Sequence, residues 1–254
     1  MLGVPATAAA NPGPAARGAD VSWPQCGRAL PQHQTFGIVG VNHGLANTAN
    51  TCLGTELGWA ESSPGLTSPP QARASLYINT ADPGPGVSDW PQSGTTSDYG
   101  ACHGQWTRAC AYLYGVARAT YSYNLVSAVN SALASTAPWW LDIETDNSWA
   151  TDSTRGYKGL NIATIRGFIE GLVANGAAAP VGVYSTATEW RTITRLSPSK
   201  TASALDGTSP PAWISGTGTL KDARAACAAA GFTGIRPALA QYSAGGFDGD
   251  LRCG

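Results

Sequence analysis

Residues 138–144 read Pro-Trp-Trp-Leu-Asp-Ile-Glu, an apolar and aromatic run that ends in two acids. Such a run is typical of a buried strand, in which residues i and i+2 point to one face. Asp142 and Glu144 are therefore predicted to project side by side from a strand end. Like charges that are held close and partly desolvated push one pKa upward, which is how a protein makes an acid and a base from similar side chains. The pair is the first candidate for a catalytic site.

Seven further runs of β-forming residues lie on either side of this strand. They are 19–23, 36–42, 75–80, 181–185, 212–215, 238–242 and 247–251. Helical patterns separate several of them, at 110–134, 161–175, 187–196 and 220–230. About eight strands alternating with helices predict an α/β fold, a modified TIM barrel. The last two strands are joined too tightly to hold a helix, so the outer helical ring is predicted to be incomplete. Two stretches rich in Gly, Pro, Ser and Thr, 43–73 and 81–104, are predicted as long loops around a cleft.

The composition indicates one globular domain. The chain has 254 residues, of which 43% are hydrophobic, and we assign 18–254 to a single barrel domain. Residues 1–17 are interpreted as a signal-peptide remnant or a disordered linker. A net charge of −1 with 12% charged residues gives no basic patch, so no nucleic acid partner is expected. No apolar run is long enough for a membrane span, and a monomer is expected.

Six cysteines indicate disulfides and export, so the protein is predicted to be secreted or associated with the cell wall. None of them forms a Cys-x-x-Cys pair, which argues against a zinc ribbon. Fifteen pairings are possible. The expected ones are Cys26–Cys52 between loops after adjacent strands, Cys102–Cys110 as a local bridge, and Cys227–Cys253 as the remainder.

Acidic residues also fall on the first and last predicted strands. Asp20 lies in the first strand, and Asp248 and Asp250 lie in the last. These strands become neighbours when a barrel closes, so their acids should meet across the mouth from Asp142 and Glu144. Aromatic residues accompany the acids along the sequence: Trp23, Tyr77, Trp139, Trp140, Tyr184, Trp190, Trp213 and Tyr242. Carboxylates beside stacking rings suit a carbohydrate, and glycoside hydrolysis uses two carboxyl groups.

A metal site is the chemical alternative. Asp20, Asp142, Glu144 and Asp250 could hold Ca²⁺ or Mg²⁺ through oxygen ligands, as in a metal-dependent phosphodiester hydrolase. The three histidines show no metal-binding spacing, and the chain has no Gly-x-Ser-x-Gly, His-Glu-x-x-His or phosphate-loop motif. We expect neither a metal nor a cofactor.

The order of these motifs resembles glycoside hydrolase family 25, the Chalaropsis-type lysozymes, and especially its glycoside-hydrolase-like relatives in actinobacteria. Residues 18–25 (Gly-Ala-Asp-Val-Ser-Trp-Pro-Gln) resemble the family's first strand, and 140–144 resemble its Asp-x-Glu strand. Other matching segments are 36–42, 183–185 with Trp190, 213–214, 241–243 and 247–251. The resemblance spans residues 18–253 and implies a barrel of eight strands with about five principal helices.

The resemblance also implies an activity, cleavage of the β-1,4 bond after N-acetylmuramic acid in peptidoglycan. Glu144 would be the general acid, and Asp142 would orient or polarise the substrate. Asp20 and Asp250 would line the floor of the site, with Asp248 as the alternative to Asp250. The other residues expected to bind the glycan are Trp23, Tyr77, Asn79, Trp140, Tyr184, Trp213 and Gln241.

Two segments depart from the family pattern. Residues 42–44 read Asn-His-Gly where a Lys-x-Thr-Glu-Gly segment is common, and 77–79 read Tyr-Ile-Asn where Tyr-His is usual. These departures fit a different glycan. They also fit the alternative function, a non-catalytic carbohydrate- or cell-wall-binding protein on a hydrolase barrel.

Overall fold

A computed structural model describes residues 16–150, 156–178, 180–205, 207 and 209–254. The predicted signal remnant or linker, 1–17, lies outside the described residues except for its last two. Arg17, the second of these, already belongs to the first strand.

Eight strands close into one barrel. They are β1 Arg17–Val21, β2 Phe36–Gly40, β3 Ala74–Asn79, β4 Trp139–Asp142, β5 Gly182–Ser185, β6 Ala212–Ile214, β7 Leu239–Ala244 and β8 Phe247–Arg252. Their order around the barrel is β1-β8-β7-β6-β5-β4-β3-β2, closing back to β1. Only β8 runs antiparallel to its neighbours, β1 and β7. The predicted eight-stranded barrel is confirmed.

The described residues contain seven α-helices. They are α1 Leu53–Glu61, α2 Arg108–Val129, α3 Ser131–Thr136, α4 Tyr157–Ala174, α5 Ala187–Thr194, α6 Pro198–Ala204 and α7 Leu220–Ala228. Five of them have eight or more residues, as the resemblance implies. No helix joins β7 to β8, whose connection is the glycine pair Gly245–Gly246.

The prediction of two long loops was wrong in part. The stretch 43–73 contains α1 and a short hairpin, Leu66–Thr67 with Pro70–Gln71. The stretch 81–104 contains a second hairpin, Gly94–Thr96 with Gly100–Cys102. Two glycines in α1 lower its helix propensity, but Leu53, Leu57 and Ala60 are buried in the core. Tertiary packing therefore stabilises a helix that the local sequence disfavours.

Five predicted strands end one or two residues early, and two of these ends bear on the site. The run 19–23 stops at Val21, and a 3₁₀ turn, Trp23–Gln25, follows with a proline inside it. The run 139–144 stops at Asp142. The backbone N–H of the next residue, Ile143, donates a hydrogen bond to Tyr184 on β5. Glu144 therefore lies just beyond the end of β4, on its C-terminal side.

Aromatic and apolar side chains fill the barrel below the acids. The members of this interior cluster are Ala16, Phe36, Ile38, Trp140, Trp213 and Leu239. Two strand glycines make room for its rings. A Cβ atom at Gly18 would overlap the ring of Phe36, and one at Gly182 would overlap the ring of Trp140. The acids at the mouth therefore rest on an apolar floor.

Gly182→Ala is expected to lower the free energy of unfolding by about 1–3 kcal/mol, because the new methyl group overpacks the barrel against Trp140. Gly58→Ala is the matched control, since Gly58 is exposed on α1 and a Cβ there meets no atom. That control should gain about 0.5–1 kcal/mol from helix propensity. Chemical denaturation of both variants measures the difference, and an unchanged Gly182→Ala would contradict the close packing.

Three disulfides tie the connections to the barrel. They are Cys26–Cys52, Cys102–Cys110 and Cys227–Cys253, with Cα–Cα distances of 5.6, 4.8 and 5.0 Å. The expected pairing is confirmed. Among the helices that the structure describes, none has the length and apolar character needed to cross a membrane.

Candidate active site

A polar cavity of about 140 Å³ lies at the C-terminal end of the barrel strands. Its walls are Asp20, Tyr77, Asp142, Glu144, Tyr184, Trp213, Gln241 and Asp248. The structure thus brings together eight of the residues that the sequence nominated for a site. They come from seven strands and from the segment that follows β4, and they meet only in the closed barrel.

Strand register explains why these side chains converge. Asp142 on β4 lies opposite Asn79 on β3 and Tyr184 on β5. Tyr184 in turn lies opposite Trp213 on β6. On the other side of the barrel, Asp20 on β1 lies opposite Asp248 on β8. Residues paired directly across a ladder share one face of the sheet, so all of these side chains point inward.

Asp142 and Glu144 form an acid pair at two depths. Asp142 is only 5% exposed, and Asn79 Nδ2 donates a hydrogen bond of 2.7 Å to its Oδ2. Burial, followed by the adjacent charge of Glu144, raises the pKa of Asp142 well above its usual range. Glu144 is half-buried, and burial also raises its pKa. The pair therefore holds a proton at pH values at which isolated carboxyl groups are ionised.

Glu189 contributes a fixed negative charge beside this pair. It lies in the first turn of α5 and accepts hydrogen bonds from the backbone and hydroxyl of Thr145 and from the hydroxyl of Thr186. Burial acts to raise the pKa of Glu189, but these hydrogen bonds outweigh it and hold the pKa below its usual value. Its charge raises the pKa of both Asp142 and Glu144.

A second acid pair, Asp20 and Asp250, lies across the barrel. Asp250 is fully buried, and burial followed by the charge of Asp20 raises its pKa well above the usual range. Burial and the charge of Asp248 raise the pKa of Asp20 to about 7. Gln241 Nε2 donates a hydrogen bond of 3.1 Å to Asp20 Oδ2. Asp250 itself lies beneath the cavity rather than in its wall.

Besides Asp250, three residues predicted to bind glycan lie outside the cavity wall. Trp140 is buried below the acids, where its ring meets the ring of Trp213 edge-on at 5.9 Å, so it packs rather than faces the cavity. Asn79 holds Asp142 instead of lining the wall. Trp23 is 39% exposed on the turn after β1, with its ring 4.2 Å from the ring of His43.

Sequence reasoning missed three supporting residues. Ser215 Oγ lies 3.3 Å from Glu144 Oε1, Glu189 supplies the charge described above, and the Asn42 side chain accepts a hydrogen bond from the backbone of Asn79. Of the three, only Ser215 could have been predicted from the sequence. It lies two residues after Trp213 in a predicted strand, and residues i and i+2 of a strand point to the same face.

The acids are not arranged as a metal site. Within the part of the chain that the structure describes, no group of three or more His, Cys, Asp or Glu side chains is placed to hold a metal ion. Asp142 and Glu144 lie in one wall of the cavity, and Asp20 lies beside Asp248 and Asp250 on the other side of the barrel.

The fold is similar to the folds of solved muramidases and of a lysozyme. The solved structure of a muramidase from Trichobolus zukalii is similar over 94% of both chains, with 14% identity and a TM-score of 0.53. A bacterial lysozyme from Streptomyces coelicolor is similar over 96% of this chain and 94% of its own, with 16% identity and a TM-score of 0.52. A muramidase from Acremonium alcalophilum gives 14% identity and a TM-score of 0.52, with 94% of each chain covered.

These similarities are similarities of fold. The predicted resemblance to a family 25-type barrel is confirmed at that level. No protein-family model and no curated protein sequence matches the chain.

Proposed function

We propose that the protein is an exported glycoside hydrolase that cleaves cell-wall polysaccharide, with Glu144 as its proton donor. The observation that carries this proposal is the acid pair in one cavity wall, in which Glu144 is half-buried and Asp142 is almost fully buried. Glycosidases use two carboxyl groups. One protonates the leaving oxygen, and the other acts as the nucleophile or as the base that activates water.

The environment of each acid fits a separate role. Burial raises the pKa of Glu144, which favours the protonated form that a general acid needs in order to transfer a proton to the glycosidic oxygen. Asp142 is held by Asn79 and cannot swing out, so it is suited to orienting or polarising the substrate next to the bond that breaks. Asp20 and Asp248 are in the opposite wall of the cavity, where they face the far side of a bound sugar.

Peptidoglycan is the first substrate to test, because two of the similar structures are muramidases and one is a lysozyme. Three disulfides support export, where cell-wall glycans are found. The experiment is incubation with purified peptidoglycan and, separately, with arabinogalactan-type polymers, followed by mass spectrometry of released fragments. New reducing ends from either polymer would support hydrolysis and identify the glycan. Intact polymers after long incubation would contradict it.

A non-catalytic glycan-binding protein is the second candidate, and the size of the cavity favours it. At about 140 Å³ the cavity is smaller than the roughly 300–1,000 Å³ of typical ligand pockets. Calorimetry with soluble cell-wall fragments separates the two functions. Binding without any released product would support the second candidate, and product formation would exclude it.

A further inference from the structure

A continuous line of hydrogen bonds crosses the barrel mouth from one acid pair to the other. Ser215 Oγ lies 3.3 Å from Glu144 Oε1 and 2.9 Å from Tyr184 Oη. Tyr184 Oη lies 2.8 Å from Gln241 Oε1, and Gln241 Nε2 lies 3.1 Å from Asp20 Oδ2. Three uncharged side chains thus join Glu144 to Asp20.

The amide of Gln241 gives this line a direction. The backbone N–H of Gly216 donates to Gln241 Oε1 at 3.3 Å, which requires an oxygen at that position. The amide nitrogen therefore faces Asp20, and it can only donate. Tyr184 must donate its proton to Gln241 Oε1, so its own oxygen is left to accept from Ser215.

Ser215 extends this donor-to-acceptor order to Glu144. A serine hydroxyl has one proton, and here the nearer acceptor is Tyr184, at 2.9 Å against 3.3 Å. A lone pair of Ser215 therefore faces Glu144. That lone pair can accept a hydrogen bond from Glu144 only when the Glu144 carboxyl group is protonated. Four titratable groups surround Glu144. The charges of Asp146 after β4 and Glu189 on α5 raise its pKa, Tyr184 on β5 is neutral, and the hydrogen bond with Asp142 lowers the pKa. A hydrogen bond donated by Ser215 would lower the pKa as well, but the serine proton is directed to Tyr184 instead.

We propose that Tyr184, Ser215 and Gln241 form a one-way hydrogen-bond relay that presents an acceptor to Glu144 and so keeps this carboxyl group protonated. In this role the three are positioning residues, since they act on the proton donor. Their value to catalysis rests on the proposed function, in which Glu144 must carry a proton. The relay itself is a property of the folded protein and is testable without a substrate.

The test is the titration of Glu144 followed by ¹³C NMR in protein labelled at glutamate carboxyl carbons. The chain has five glutamates, and the Glu144→Gln spectrum assigns the resonance. Tyr184→Phe keeps the ring that packs 4.4 Å from Trp213 but removes the hydroxyl. Ser215 then loses its tyrosine acceptor and turns its proton to Glu144, so the Glu144 midpoint should fall by about half a pH unit or more. An unchanged or raised midpoint would overturn the relay.

The double variant Tyr184→Phe/Ser215→Ala isolates the serine. Without the serine hydroxyl no proton can be turned to Glu144, so the midpoint should rise again relative to Tyr184→Phe alone. A double variant as low as the single one would show that the fall does not pass through Ser215 and would also overturn the relay. Tyr77→Phe removes a hydroxyl from the same cavity wall outside the line, and it should leave the Glu144 midpoint unchanged.

The pH profile of hydrolysis gives a second readout. Tyr184→Phe should move the alkaline limb of kcat/KM to lower pH by the same amount as the NMR midpoint, because that limb reports the proton on the general acid. If the NMR shift appears and no glycan is cleaved, the relay stands and the proposed hydrolase function fails. If glycan is cleaved and the midpoint does not move, the function stands and the relay fails.

Discussion

Glu144→Gln is expected to lose hydrolysis by about 10²–10⁴-fold while keeping the fold. The amide has the shape of the carboxyl group and still reaches Ser215, but it has no acidic proton to give to the leaving oxygen. Release of reducing ends from whichever polymer proves to be cleaved measures the loss. Thermal unfolding of the same sample verifies that the barrel is intact.

Glu61→Gln is the matched control, since it makes the same chemical change on α1, where Glu61 accepts a hydrogen bond from Asn130. It should retain full activity. Undiminished hydrolysis by Glu144→Gln would remove Glu144 from the chemistry and leave Asp142 or the Asp20 and Asp250 pair to be tested in its place.

Asp250→Asn is expected to stabilise the protein above neutral pH. Raised pKa values mean that the folded protein binds more protons than the unfolded chain between the two pKa values, so stability is full at low pH and is lost as pH rises. For Asp20 the window runs from 3.8 to about 7, and the loss across it is on the order of 4 kcal/mol. Asp250, whose pKa is raised further by burial, extends the same trend to higher pH.

The Asp250→Asn amide cannot ionise, so it removes the stability lost when the buried Asp250 carboxyl group ionises. Asp250 can donate a hydrogen bond to Asp20 only while Asp250 is protonated, whereas an asparagine NH₂ group could donate to Asp20 at any pH. We expect a gain of about 1–3 kcal/mol in the free energy of unfolding at pH 8, and a shallower decline between pH 4 and pH 8. Urea unfolding at a series of pH values measures both.

Asp222→Asn serves as the control for this change, because Asp222 is exposed at the start of α7. It leaves Asp20 and Asp250 unchanged, so it should keep the decline in stability between pH 4 and pH 8. An Asp250→Asn variant that is less stable at pH 8, or that declines as steeply with pH, would show that the buried carboxyl group makes favourable contacts when ionised.

The strands could be predicted because the polarity of their side chains reflects how deeply each strand is buried. Parallel strands covered on both faces are apolar throughout, and the acids at 20, 142 and 248 stand out against that background. Period-two alternation then predicted Asp142 and Glu144 on one face. The same alternation gives the face but not the depth, which is why Trp140 was nominated for the site although it lies under it.

Other features depend on contacts that no local pattern encodes. The helix α1 carries two glycines and forms because Leu57 and Ala60 pack into the core. The role of Ser215 depends on which of two acceptors, Tyr184 or Glu144, lies nearer. Such a difference of a few tenths of an ångström is fixed by the barrel as a whole, and it was out of reach of the sequence.

The antiparallel strand β8 determines the stage of folding at which the cavity forms. It joins the end of the chain to β1, so Gln241 and Asp20 meet across 221 residues of sequence. Contacts of such long range form late and slowly, since most of the chain must be ordered before they appear. A nascent or translocating chain therefore carries the Asp142 and Glu144 pair without its opposite wall. The assembled cavity is a product of barrel closure, and its chemistry is available only to a chain that has finished folding.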